Sequence, residues 1–168
     1  MKKVLVIGCP GGGKSTFARR LRDVTGLPLI HLDLLYWNSD KTTVTREVFD
    51  SRLEKVLAED AWIIDGNYAR TMERRLQKCD TVYFLDLPTE TCLAGIWARV
   101  GISRPDMPWV EQDTDREFVE FVKNFSAENR PKILKLLETY GNKNILVFNN
   151  HAEAEEHLQA LKRSCYGK

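Results

Sequence analysis

The chain has 168 residues, 43% of them hydrophobic, and its 25 Lys and Arg nearly balance its 24 Asp and Glu. This length fits one compact domain with its own core, and the near-neutral charge argues against a surface dedicated to duplex DNA, because such surfaces are strongly basic. The four cysteines lie too far apart for the paired spacing of a zinc site or a disulfide framework, so neither is indicated.

The chain begins with an apolar strand that runs into a glycine-rich loop. Val4–Ile7 predicts a buried strand, and the next eight residues, Gly8–Ser15, fit G-x-x-x-x-G-K-[ST] at every fixed position. In this motif main-chain N–H groups enclose phosphate oxygens, the lysine binds the β- and γ-phosphates, and the hydroxyl holds Mg²⁺. The sequence therefore predicts a site for ATP and Mg²⁺, formed by Gly8, Pro10, Gly11, Gly12, Gly13, Lys14, Ser15 and Thr16.

Amphipathic helices and short apolar strands alternate after the loop. Spacing predicts a helix that ends near Gly26, a strand over Leu29–Asp33 that ends in a carboxylate, and a helix over residues 45–59. Residues 34–43 begin apolar and aromatic and then become polar, which favours a loop. Trp62–Asp65 predicts another strand that ends in a carboxylate.

The second half of the chain continues this alternation. Residues 101–113 contain two prolines and have no periodicity, so we predict a mobile, lid-like loop there. The other expected elements are a basic helix over residues 70–78, a strand over 81–87, helical segments through Phe118–Phe125 and Ile133–Leu137, a strand over 145–149 and a last helix over about 152–163. Thr89 is expected to cap the helix after the strand over 81–87, which has Leu93, Ile96, Trp97 and Val100 on its inner face.

The alternation predicts an α/β fold in three layers, in which helices cover both faces of a parallel sheet. Ligands bind where the carboxyl ends of parallel strands meet, so Gly8, Asp33 and Asp65 should converge. Asp65 follows an apolar strand, as a magnesium-associated acid does, and Asp33 is placed to orient or deprotonate an acceptor hydroxyl. Asp86 also ends an apolar strand, and we favour a helix-capping role for it over a metal role. His31, on the buried strand before Asp33, is expected to be a hydrogen-bonded core histidine.

We expect a single domain over residues 1–168, because no repeat, low-complexity run or linker interrupts the pattern. Only seven residues precede Gly8, which is too short for a signal peptide or a membrane span. The expected location is therefore the cytoplasm, with no membrane partner.

Arginine and aromatic side chains are further candidates for the site. An arginine can bind phosphate through two parallel hydrogen bonds, although a single arginine is more often a solvated surface residue. The candidates are Arg70, Arg99, Arg104 and Arg130. Arg99 and Arg104 bracket the predicted mobile loop, which favours a role in catalysis for these two. Aromatic rings that could stack on a base, or belong to the core, are Trp37, Tyr68 and Trp109.

The segment Trp62–Thr71 resembles the D-G-F-P-R-T segment of adenylate kinases with one extra residue. His31-Leu32-Asp33 with Trp37, the Asp65–Tyr68 loop and Asn129–Ile133 are more similar to the adenylate-kinase-related proteins of the DNA topology modulation group. This resemblance spans nearly the whole chain. It implies a P-loop fold of the nucleoside-monophosphate-kinase type, with five parallel strands in the order 2-3-1-4-5. It also implies ATP with Mg²⁺ as the phosphate donor and a small molecule as acceptor.

By position, the resemblance implies that Lys14 and Ser15 bind phosphate and metal and that Asp65 is the metal-associated acid. It further implies that Arg70 grips a phosphate of the acceptor and that Arg99 stands at the base of a lid. The proline of D-G-F-P-R is missing, and residues 101–113 are too few for a long zinc-bearing lid. Specificity for adenylate is therefore not implied.

Two hypotheses of function follow. The first is a small-molecule kinase, with Lys14, Asp33, Asp65, Arg99 and Arg104 in catalysis. Its predicted acceptor site consists of Asp33, Trp37, Asn67, Tyr68, Arg70 and Arg130. The second is an ATP-dependent regulator, or a slow ATPase, that acts on DNA topology or on a protein partner. The resembling group favours the second hypothesis, whereas the near-neutral charge disfavours DNA binding.

Overall fold

The computed structural model describes residues 1–166, in which a five-stranded sheet alternates with helices. The elements in chain order are β1 (Lys3–Gly8), α1 (Lys14–Thr25), β2 (Leu29–His31), α2 (Leu32–Tyr36), α3 (Arg46–Ala58), β3 (Trp62–Asp65), α4 (Ala69–Lys78), β4 (Thr81–Leu85), α5 (Thr89–Ala98), α6 (Arg116–Glu128), α7 (Arg130–Thr139), β5 (Asn144–Phe148) and α8 (His151–Tyr166).

The sheet has the strand order β2-β3-β1-β4-β5, and every neighbouring pair is parallel. The predicted α/β fold class and the order 2-3-1-4-5 are confirmed. The register pairs Val6 of β1 with Asp65, and Asp65 in turn with His31 of β2. Since all strands run the same way, the glycine loop after β1 and the ends of β2 and β3 meet at one edge of the sheet.

The centre of the sheet is buried on both faces. The apolar residues of the three central strands, Val4–Ile7, Trp62–Ile64 and Val82–Leu85, are at most 1% exposed. Neighbouring side chains on a strand point to opposite faces, so helices must cover both faces of β1, β3 and β4. Each fully buried aliphatic side chain contributes about 1.5–3 kcal/mol. The glycine loop is thus attached to the most firmly packed strand of the molecule.

The prediction that Asp33 ends a strand is wrong, because β2 stops at His31 and Asp33 lies in the first turn of α2. Leu32 is fully buried, and Leu35 and Tyr36 pack against the same core. These three residues have the i, i+3, i+4 spacing of a helix. The short apolar run was therefore compatible with both a strand and a helix, and core packing selects the helix.

The start of α5 also differs from the prediction. Its N-cap residue is Pro88, so neither Thr89 nor Asp86 has the predicted capping role. Asp86 lies just beyond β4 and accepts hydrogen bonds from the Arg130 guanidinium, the shorter at 2.7 Å. Trp97, expected on the inner face of α5, is 55% exposed, whereas Ile96 is buried.

Within residues 1–166, no helix combines the length and the apolar character that crossing a membrane requires.

Candidate active site

The glycine loop has the geometry of an anion-binding cradle. The N-cap residue of α1 is Gly13 in a left-handed conformation (φ 85°), and glycine has no side chain that could accept a hydrogen bond from the first N–H groups of the helix. The first N–H groups of α1, which include those of Lys14 and Ser15, therefore remain available to an anion at the positive end of the helix dipole. The Lys14 ammonium donates a hydrogen bond to the Cys9 carbonyl at 3.0 Å, which holds its charge over the loop.

Helix α5 presses against this loop through a pair of glycines. A Cβ atom on Gly11 would lie 2.0 Å from the carbonyl oxygen of Cys92, and one on Gly95 would lie 2.0 Å from the carbonyl oxygen of Gly11. Neither position can carry a side chain without moving a backbone. The loop is therefore fixed between the end of β1 and the body of α5.

Asp65 forms the floor of the site beside the loop. Its Oδ2 lies 2.8 Å from Nδ1 of His31, which makes His31 the hydrogen-bonded core histidine indicated by the sequence. Its Oδ1 is buried and has no hydrogen-bond partner within residues 1–166. A buried carboxylate oxygen without a partner is rare in native proteins. Asp65 and Ser15 line the same cleft, and this pair fits a Mg²⁺ ion that takes its other ligands from water and phosphate.

Asp33 lines the same cleft as Asp65. The Tyr68 hydroxyl donates a hydrogen bond to Asp33 Oδ1 at 2.7 Å. Burial raises the pKa of the Asp33 carboxyl, the Tyr68 hydrogen bond lowers it, and the negative charge of Asp65 raises it. Burial likewise raises the pKa of Tyr68, so its hydroxyl stays protonated. Asp33 is thus a carboxylate with an increased affinity for a proton, held in place by a hydrogen-bond donor.

Asn67 supports the glycine loop. Its side-chain Oδ1 accepts a hydrogen bond from the Gly8 N–H at 3.0 Å, and its Nδ2 donates one to the Gly8 carbonyl at 2.7 Å. Both ends of the amide are thereby used by the main chain. Asn67 thus connects the loop after β3 to the loop after β1, and it also lines the cleft.

Arg75 is a supporting residue that the sequence interpretation missed. It is completely buried, and its guanidinium donates hydrogen bonds to the carbonyls of Gly66 (2.8 Å), Asn67 and Tyr68 (3.0 Å). Gly66 and Tyr68 both have positive φ, 133° and 38°, so Arg75 stabilises an unusual backbone path. Burial lowers the pKa of Arg75 to about 9, which leaves it charged at neutral pH. A signal was present, since Arg75 lies within the apolar stripe of α4 between Met72 and Leu76.

Replacing Arg75 by methionine is expected to lower the free energy of unfolding by about 3 kcal/mol, because buried carbonyls lose their donor. In urea the midpoint should fall by about 1 M or more. The matched control is Arg74→Met, since Arg74 is 42% exposed on the same helix. Equal midpoints for the two variants would show that Arg75 does not stabilise the loop.

The segment that connects α5 to α6, residues 99–115, lines the cleft and is held by ion pairs. Arg99 Nε lies 2.8 Å from Glu111 Oε2, and Arg104 contacts both Asp106 (3.0 Å) and Glu111 (3.2 Å). Arg19 of α1 reaches the same Asp106 at 3.2 Å. The sequence interpretation missed Arg19, although it lies four residues after Ser15 and so on the same face of α1.

Two tryptophans meet across the cleft. Trp37 follows α2 and Trp109 belongs to the connecting segment, and their ring centroids are 5.0 Å apart in an edge-to-face arrangement. Tyr36 contacts both Trp37 and Tyr68 with centroid distances of 5.1 and 5.2 Å. Trp37, Tyr68 and Trp109 all line the cleft. These aromatic rings form one continuous cluster beside Asp33.

Arg70 and Arg130 lie elsewhere. Arg70 is 44% exposed and pairs with Asp50 of α3, with a shortest contact of 2.5 Å, and Arg130 pairs with Asp86. Neither arginine is among the residues that line the cleft, so the structure does not bring these two together with the other predicted acceptor-binding residues. Each of the two guanidinium groups pairs with a carboxylate of a neighbouring element, outside the cleft.

Most of the other predicted residues surround one open cleft of about 960 Å³, whereas Gly8 and Gly12 belong to the glycine loop but do not line the cleft. The structure brings together Pro10, Gly11, Gly13, Lys14, Ser15, Thr16, Asp33, Trp37, Asp65, Asn67, Tyr68, Arg99 and Arg104 along its wall. Two carboxylates, a helix N-terminus and a lysine therefore share a space large enough for two small molecules.

No protein-family model matches this chain, and a search of curated proteins gave no match. Solved structures do match. Shikimate kinase from Acinetobacter baumannii, in complex with shikimate, aligns with a TM-score of 0.65 and 15% identity over 98% of this chain and 92% of that one. Shikimate kinase from Bacteroides thetaiotaomicron aligns with a TM-score of 0.56 and 17% identity over 96% of both chains. At this identity the likeness establishes the fold, which is the P-loop fold of the nucleoside-monophosphate-kinase type.

Proposed function

We propose that this protein is a kinase that transfers the γ-phosphate of ATP, with Mg²⁺, to a hydroxyl group of a small molecule. The observation that carries the proposal is the position of Asp33 and Asp65 in one cleft with the anion-binding loop. Phosphoryl transfer depends mainly on positioning and on neutralising charge, and this cleft has groups for both. Two of its structural neighbours are shikimate kinases, one of them in complex with shikimate.

Each side chain has a defined task in the proposed reaction. The N–H groups at the start of α1 and the Lys14 ammonium bind the β- and γ-phosphates. Ser15 and Asp65 would hold Mg²⁺, which neutralises phosphate charge when bound. Asp33 accepts the proton of the acceptor hydroxyl while the hydroxyl oxygen forms a bond to the γ-phosphorus of ATP. At the same time the bond between the γ-phosphorus and the oxygen that leaves with ADP breaks. The products are ADP and a phosphate monoester.

Residues 101–113, the central part of the connecting segment, act as a short lid in this proposal. Arg99 pairs with Glu111, and Arg104 pairs with Asp106. Phosphate oxygens are strong acceptors for guanidinium groups, so bound ATP would compete with these two carboxylates. Exchange of partners would bring positive charge to the transferring phosphate as the lid closes.

The test is a screen for ADP release in the presence of ATP and Mg²⁺, with hydroxyl compounds of different classes as acceptors. We expect at least one class to raise ADP release well above the rate of ATP hydrolysis in water, and mass spectrometry should find the phosphorylated product. If every compound leaves the rate at the hydrolysis level, the protein is an ATPase and the kinase proposal is wrong.

The resemblance to the DNA topology modulation group gives a second candidate, an ATP-dependent regulator that acts on DNA. Its ATP site would be the same cleft, whereas the net charge of +1 offers little attraction for duplex phosphates. A salt-dependent mobility shift with duplex DNA at physiological ionic strength would support this candidate.

Replacing Tyr68 by phenylalanine is expected to shift the acid limb of the kcat/KM pH profile upward by about one unit. The hydroxyl stabilises charged Asp33 and so lowers its pKa. Its loss raises that pKa, and a higher pH is needed to ionise the base. The control is Tyr140→Phe, since the Tyr140 hydroxyl bonds Glu73 instead. An unchanged acid limb in Tyr68→Phe would mean that another group titrates.

A further inference from the structure

The cleft contains little unpaired positive charge. Its ionisable lining consists of the acids Asp33, Asp65, Asp106, Glu111, Asp113 and Asp115 and the bases Lys14, Arg19, Lys41, Arg99 and Arg104. The three arginines are paired with Asp106 and Glu111. Lys14 lies over the glycine loop, where the proposed ATP phosphates bind. Of the bases that line the described cleft, Lys41 alone has neither an ion pair nor a position over the glycine loop.

The acceptor end of the cleft is therefore unfavourable for an anion. Asp33, whose pKa is already raised by burial, lies there, and Lys41 is exposed. A second phosphate or a carboxylate would meet the negative charge of Asp33, with one solvated ammonium to oppose it. Arg70, which the sequence indicated for an acceptor phosphate, is paired with Asp50 of α3. Placing like charges against an unwanted ligand is a common source of specificity.

The same end offers flat apolar surface. Trp37 and Trp109 are half-buried and line the cleft, so part of each indole is accessible from it. Trp37 is held in place by a bridge to Thr43 and by its contact with Tyr36. Indole rings fixed in this way bind planar rings by stacking and lose little entropy on binding. The described residues thus pair a proton acceptor with an aromatic platform.

We infer that the acceptor is an uncharged or cationic hydroxyl compound with a planar ring, of the size and kind of a nucleoside, and that its anionic analogues are rejected. This inference rests on the proposed kinase function, because it assigns the molecule that Asp33 deprotonates. It also accounts for product release. Transfer converts a neutral hydroxyl into a phosphate monoester, which then carries the negative charge that this end of the cleft repels.

The test compares nucleosides with their own 5′-monophosphates, which differ only by the anionic group. Tryptophan fluorescence measures binding without ATP, and ADP release measures turnover. Nucleosides are expected to bind at least about tenfold more tightly than their monophosphates, and at least one should stimulate ADP release. Tighter binding or faster turnover of the monophosphates, or no binding of any nucleoside, would overturn the inference. Nucleoside binding without ADP release would instead reject the kinase function and keep the ligand assignment.

Variants locate the binding surface. Trp37→Leu should weaken nucleoside binding about tenfold, because a stacked ring is lost, and it should leave the KM for ATP unchanged. Trp97→Leu is the matched control, since Trp97 is exposed on α5 and should have no effect on either. Equal nucleoside affinity in the two variants would exclude Trp37 as the platform.

Discussion

Replacing Lys14 by alanine is expected to lower kcat/KM for ATP by about 1,000-fold or more. The Lys14 ammonium lies over the glycine loop, 3.0 Å from the Cys9 carbonyl. A β- or γ-phosphate bound there would gain a full positive charge at hydrogen-bond distance. Negative charge increases on the phosphate oxygens nearest the breaking bond during transfer, so the loss is larger for turnover than for binding.

Two measurements separate these effects. A fluorescent ATP analogue reports binding, and ADP release reports turnover. The control is Lys132→Ala, since Lys132 is exposed on α7 and its loss should change neither quantity. Turnover by Lys14→Ala within tenfold of the unmodified protein would mean that the loop does not bind the transferred phosphate, and the proposed reaction would have to be abandoned.

The fold was readable from the sequence because its sheet is buried on both faces. Val4–Ile7 and Trp62–Ile64 are continuous apolar runs, which is the pattern of parallel strands covered by helices. Strand polarity then places the glycine loop and Asp65 at one edge without any knowledge of side-chain contacts. The strand order itself came from the resemblance to adenylate-kinase-related proteins.

The short apolar run at Leu29–Asp33 shows where this reasoning failed. A pattern of so few residues does not distinguish a strand from a helix, and the buried Leu32 selects the helix. Asp33 still reaches the cleft, because a first helical turn begins where the strand ends. The error in secondary structure thus leaves Asp33 at the edge of the sheet where the sequence predicted it.

Partner choice among charged side chains was beyond the sequence. Arg70 pairs with Asp50, 20 residues away, and Arg130 pairs with Asp86, 44 residues away. Both arginine side chains are long and flexible, and the packing of the helices decides which carboxylate each guanidinium meets. Contacts to main-chain atoms are still less visible. Asn67 and Arg75 act on backbone carbonyls and N–H groups, which every residue has.

Replacing Asp33 by asparagine is expected to lower acceptor-dependent transfer by about 100-fold or more and to leave ATP affinity unchanged. Proton abstraction by a positioned base contributes about 10²–10⁴-fold to rates, and an amide cannot take the proton. The substitution keeps the shape of the side chain. In the unmodified protein the Tyr68 hydroxyl lies 2.7 Å from Asp33 Oδ1, and in the variant it can donate to the amide oxygen. The fold of the cleft should therefore persist.

The pH profile distinguishes a base from a merely positioning residue. If Asp33 is the base, its raised pKa sets the acid limb of kcat/KM in the unmodified protein, and Asp33→Asn should have low activity without that limb. Asp60→Asn, at an exposed site after α3, should keep both the rate and the limb. Full acceptor-dependent ADP production by Asp33→Asn would show that the acceptor hydroxyl loses its proton elsewhere, for example to the transferring phosphate itself.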